Sequence, residues 1–117
     1  MIRFSLDQTV EGWSWRLVSR TDCAADLIAR SGPPTTDHTA AMEELALLGH
    51  GPPPRIVGSD DGHWRWLLSA PDGTIAAQCP AVHRNPLACR EAFTDARRAA
   101  VVVLRRHGHP AACQACG

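Results

Sequence analysis

Apolar and polar positions alternate through Trp13-Ser14-Trp15-Arg16-Leu17, so Trp13, Trp15 and Leu17 share one face of a predicted strand while Ser14 and Arg16 share the other. The pattern returns 51 positions later, where Trp64, Trp66 and Leu68 stand in the places of Trp13, Trp15 and Leu17. Upstream, Arg3-Phe4-Ser5-Leu6 is answered by Arg55-Ile56-Val57-Gly58, and each run leads into a polar turn, 7–12 in the first case and 59–62 in the second. Downstream, Leu27-Ile28-Ala29-Arg30-Ser31 aligns with Thr74-Ile75-Ala76-Ala77-Gln78 at an offset of 47. The change from 51 to 47 places a four-residue insertion in the first hairpin turn, around 21–25. In the second copy that turn is the short Pro71-Asp72-Gly73, whose Asp-Gly pair suits a tight hairpin.

Each copy then changes from strand period to helix period. Asp37 is placed to cap a helix carrying Ala41, Leu45 and Leu48, with Glu43 and Glu44 outward and Gly49 ending it. Gly51-Pro52-Pro53-Pro54 is too stiff and too poor in donors to continue helix or sheet, and reads as the linker between copies. Asn85 and Pro86 have the chemistry of a cap and a first helical residue. From there Cys89, Ala92, Phe93, Ala96, Ala100, Val103 and Leu104 recur at three- and four-residue spacing, with Arg90, Glu91, Asp95, Arg97 and Arg98 opposite. Over 99–104 the period favours helix and the valines favour strand; the period is the stronger signal.

The doubled Trp-x-Trp-x-Leu strand, the Ile-Ala strand that follows it and the helix after that resemble the YegP-like family over roughly 3–100. The resemblance implies an α+β fold in which two β-β-β-α repeats share one antiparallel sheet, with both helices on one face and strands exchanged between the repeats. It brings no established chemistry, because the family is one of unknown function. A Gly-Tyr pair is expected after the third strand; Pro33-Pro34-Thr35 and Pro80-Ala81-Val82-His83 stand there instead, and the chain has no tyrosine. The resulting organisation is one domain over 1–106, with repeats at 1–50 and 55–106, and a Cys/His-containing tail over 107–117.

Charge narrows the function classes. Twelve cationic residues balance twelve acidic ones, so no long-range field draws the chain to nucleic acid or anionic lipid. All twelve cations are arginine, which removes Schiff-base and phosphate-loop lysine chemistry and reads as the mark of a GC-rich bacterial genome. No stretch has the length and apolarity of a membrane span or a leader, so a cytoplasmic location is expected, with the five cysteines reduced or bound to metal.

Alternation sends Arg16 and Arg65 away from the tryptophans, so the rings belong to the core and not to a base-stacking platform. Arg16, Arg30 and Arg65 are the candidate binding residues, a cluster on the open face for a protein, peptide or anionic ligand. An exposed sheet edge also makes a homodimer an expectation. The alternative reading is zinc, with Cys113 and Cys116 two residues apart in the tail and His107 and His109 completing a tetrahedral set. Cys79, His83 and Cys89 form a looser group in which Cys89 is a buried thiol and His83 an exposed loop residue. Asp60-Asp61 and Glu43-Glu44 read as solvated surface, and no nucleophile, base pair or phosphate loop is visible. A small non-enzymatic binding module is therefore the leading expectation, ahead of a metal protein and of an enzyme whose site is assembled from distant residues.

Overall fold

The computed structural model describes residues 2–20 and 24–106. The elements run β1 (Ile2–Thr9), β2 (Gly12–Arg20), β3 (Ala25–Ser31), α1 (His38–His50), β4 (Arg55–Gly58), β5 (Trp64–Ser69), β6 (Ile75–Gln78) and α2 (Pro86–Arg106). All six strands form one antiparallel sheet in the order β1-β2-β3-β6-β5-β4. Each β-β-β unit is therefore a meander that keeps its own strands, and the strand exchange implied by the resemblance does not occur. Within the sheet the halves pair where Arg30 faces Gln78 and Ser31 faces Ala77, a joint reinforced by Gln78 Nε2 donating to the Ser31 carbonyl at 3.1 Å.

Pairing corrects two of the offsets read from sequence. Arg16 faces Arg30 in one half and Leu67 faces Gln78 in the other, so the third strands match at 48 and not 47. Leu6 faces Trp15 and Ile56 faces Trp66, so the first strands match at 50, where side-by-side comparison suggested 52. Each third strand carries a bulge, with Ile28 of β3 the extra residue opposite Leu17 and Val18 and Ala76 of β6 the extra residue opposite Leu68 and Ser69. β1 is also longer than the sequence suggested, reaching Thr9, and the β5–β6 turn closes through Gly73 at φ 89°.

Both helices begin as expected. Asp37 Oδ1 accepts from Ala40 N at 2.8 Å, and Asn85 Oδ1 accepts from Ala88 N at 2.7 Å. α1 runs through Gly49 to His50, because Gly49 lies at the crossing with α2, where a Cβ would come 2.9 Å from Leu104 Cδ1. α2 continues to Arg106, so residues 99–104 are helical: Val103 and Leu104 are buried against the sheet and α1, and that burial outweighs the β-branched preference.

The core lies between the sheet and the two helices. Trp15, Leu17, Trp66 and Leu68 from the second strands meet Leu45 and Leu48 of α1 and Phe93, Val103 and Leu104 of α2. Burying each indole removes roughly 150–250 Å² from water and contributes on the order of 4–6 kcal/mol before entropy is counted. Trp13 and Trp64 are half-buried at the margin, Trp13 edge-on to His38 with ring centroids 6.2 Å apart. Trp15 and Trp66 thus occupy the interior expected for them.

Arg97 departs from its expected solvent position. Its Nε donates to the Leu48 carbonyl at 2.8 Å and one terminal nitrogen donates to the Gly51 and Pro52 carbonyls, each at 2.9 Å. The guanidinium also lies 4.8 Å from the Phe93 ring centroid. One side chain of α2 thus satisfies the carbonyls that α1 leaves open at its end and in the linker.

Candidate functional site

Two surfaces carry polar chemistry. The first is the open face of the sheet. Register places Ser5, Arg16, Arg30, Gln78, Leu67 and Arg55 in one row crossing all six strands. Arg16 and Arg30 are directly opposite, about 5 Å apart at Cα. Arg65 faces Val57, one step along, which makes it diagonal to Arg55. All four arginines are exposed.

Sequence reasoning thus found the right face but not the grouping. Symmetry does not bring Arg16 and Arg65 together: Arg16 matches Leu67, Arg65 matches Ser14, and the two arginines stand three strands apart, about 14 Å. The structure instead makes two pairs, Arg16 with Arg30 and Arg55 with Arg65. Arg55 was missed because nothing local reveals which residue lies across a strand pair. Like charges directly opposite repel, and the one ion pair among the described residues that relieves them is Arg16 Nε to Asp7 Oδ2 at 3.5 Å.

The second surface is on the helix side. Trp15 Nε1 donates to Glu44 Oε1 at 3.2 Å, so Glu44 turns inward instead of facing water with Glu43. Burial pushes the Glu44 carboxyl up to about 7; the Asp72 charge adds to the rise, and the Trp15 hydrogen bond opposes it. A carboxyl held above its unfolded value stabilises the fold fully below about pH 4.5, and that stability drains away as pH rises through 7. Unfolding by urea should therefore show the protein about 1–2 kcal/mol less stable at pH 8 than at pH 5, allowing for solvent screening. Glu44→Gln should flatten that slope, and an unchanged slope in the variant would remove Glu44 as its source.

In the second unit the matching indole has no such partner. Trp66 Nε1 is buried and unpaired, and its ring meets Phe93 edge-on at 5.1 Å. Beside it lies a pocket of about 510 Å³ reached by Trp66, Cys79, His83 and Ala92. His83 is not the exposed loop residue expected: its backbone pairs with Trp64 in both directions, at 2.7 and 2.8 Å, as Thr35 pairs with Trp13. Cys89 is buried, as expected, and desolvation raises its thiol pKa. Asp61, read as solvated turn, holds that turn together through Ser59 and through His63 Nδ1 at 2.9 Å; these hydrogen bonds lower its carboxyl to about 2.

The candidate zinc ligands Cys113, Cys116, His107 and His109 lie outside the described residues, as does Cys23. Among the described residues no three His, Cys, Asp or Glu side chains are grouped to hold a metal ion. No helix among them is long and apolar enough to cross a membrane.

A six-stranded sheet in this order, with both helices on one face, decides the structural comparison. The fold resembles that of E. coli YegP. The solution NMR structure of that protein, described as of unknown function, superposes with a TM-score of 0.67 over 85% of each chain at 12% sequence identity. No family model matches the chain, and neither does any curated protein sequence. At that identity YegP supports the architecture and transfers no chemistry. The loops in which the chain lacks the Gly-Tyr pair expected of a YegP-like protein are the ones from which Thr35 and His83 reach back to Trp13 and Trp64. Here, backbone pairing anchors the loops without a tyrosine.

Proposed function

We propose that this protein is a small non-enzymatic binding module, cytoplasmic in location, that engages an acidic protein segment across the open face of its sheet. The observation that carries the reading is Arg16 standing directly opposite Arg30 in register, with Arg55 and Arg65 as a second pair across the centre. Four guanidinium groups relieved by one carboxylate, on a chain of zero net charge, form a local excess that carboxylates would neutralise through two-pronged hydrogen bonds. A protein partner fits better than nucleic acid, because the indoles that would stack on bases point to the opposite face.

The test is fluorescence anisotropy with a labelled hexaglutamate peptide at low salt. Arg16→Ala combined with Arg30→Ala should weaken binding about tenfold or more, and added salt should weaken the wild type steeply. Full retention of peptide by the double variant would sink the reading. Preference for single-stranded RNA of the same charge would assign the face to a different class of partner.

A further inference from the structure

The two units are matched closely enough for a difference between them to be informative. Trp13 pairs with Thr35 as Trp64 pairs with His83, and Asp37 caps α1 as Asn85, 48 positions on, caps α2. By the same step Glu44 on α1 corresponds to Ala92 on α2. In the first unit the Glu44 carboxyl occupies the space beneath α1 and accepts the Trp15 N–H. In the second unit alanine is too short to reach, and the Trp66 N–H, on a residue with 0% exposure, is the one unpartnered buried side-chain atom among the described residues. A donor left in that state costs about 1–3 kcal/mol and calls for an explanation.

The space that a longer side chain would fill is the pocket. Trp66 and Ala92 are among its lining residues, and Leu27, Ile28, Ala99 and Val102 give it apolar walls. At its rim are His83 and the Asp95–Arg98 pair, whose charged atoms are 3.9 Å apart and largely in water. A volume of about 510 Å³ lies within the range of small-molecule sites. Apolar walls, an unpaired donor on a lining residue and a mixed rim select a ligand with a single acceptor group and an otherwise apolar body.

We propose that this pocket binds a small amphiphilic carboxylic acid, whose carboxyl takes up the Trp66 N–H in the place that Glu44 fills for Trp15, while its apolar body lies along Leu27, Ile28, Ala99 and Val102. The site is on the helix side of the sheet and uses none of the arginines of the open face. It therefore stands or falls apart from the acidic-partner reading. Binding here is an equilibrium with no chemical step.

Decanoate is the probe, followed by calorimetry and by the indole cross-peaks of the ¹⁵N-labelled protein, with decylamine as a control of similar apolar length and no acceptor. Decanoate should bind, decylamine should not, and the Trp66 indole proton, assigned by its loss in Trp66→Phe, should move downfield on binding. Trp66→Phe should weaken decanoate about tenfold or more, the loss expected for a hydrogen bond to a charged group. Ala92→Glu should bring its own carboxyl to Trp66, shift the indole proton without ligand and block decanoate; the first two measurements decide the matter should this variant not fold. Arg16→Ala with Arg30→Ala should leave decanoate affinity unchanged. Absence of decanoate binding at millimolar concentration would overturn the proposal, as would equal binding of decylamine or undiminished binding by Trp66→Phe.

Discussion

Arg97→Ala is expected to lower the unfolding free energy by about 2–3 kcal/mol, as read from the urea midpoint at unchanged m-value. The effect is large for a residue on the outer flank of a helix, because three carbonyls of another element depend on it: Leu48, Gly51 and Pro52. Losing the guanidinium leaves the end of α1 and the proline linker without their donors. It also uncovers the Phe93 ring, which is 6% exposed with Arg97 in place. Arg97→Lys should recover only part of the loss, since a single ammonium cannot reproduce the spread of the planar fork. A variant as stable as the wild type would show that the α1–α2 contact is held by apolar packing alone, through Gly49 against Leu104.

Trp15→Ala and Trp66→Ala should each cost about 3–5 kcal/mol, the range for emptying a buried aromatic site. The informative contrast is with phenylalanine. Trp15→Phe strips Glu44 of the indole donor and should cost about 2 kcal/mol near neutral pH. Trp66→Phe removes a donor that has no partner, so the smaller ring is offset by relief of an unsatisfied group and the cost should stay below about 1 kcal/mol. Equal losses at the two positions in thermal and urea unfolding would mean that the indole nitrogens are energetically alike, against the asymmetry seen here.

Much of the fold was legible because it is written at short range. Alternation placed Trp15, Leu17, Trp66 and Leu68 on the buried face, and both caps, Asp37 and Asn85, needed only the residues beside them. The helical period over 86–106 survived three consecutive valines. The candidate surface was half legible: alternation assigned Arg16, Arg30 and Arg65 to the open face, yet the pairing of Arg16 with Arg30 depends on the β2–β3 register and that of Arg65 with Arg55 on the β4–β5 register. A bulge in each third strand, at Ile28 and at Ala76, breaks the simple alternation of faces that a count along the chain assumes.

The inward turn of Glu44 and the strap made by Arg97 were not legible at all. Both side chains were assigned to water from a helical wheel, which knows one apolar face and one polar face. A residue on the border between them is settled by what the neighbouring element offers: an indole N–H 29 positions away for Glu44, and carbonyls 45 to 49 positions away for Arg97. Periodicity and capping chemistry, being local, determined the elements and their buried faces. Strand order, register and the partners of border residues rest on distant atoms meeting in a packed core, so only the tertiary structure decided them.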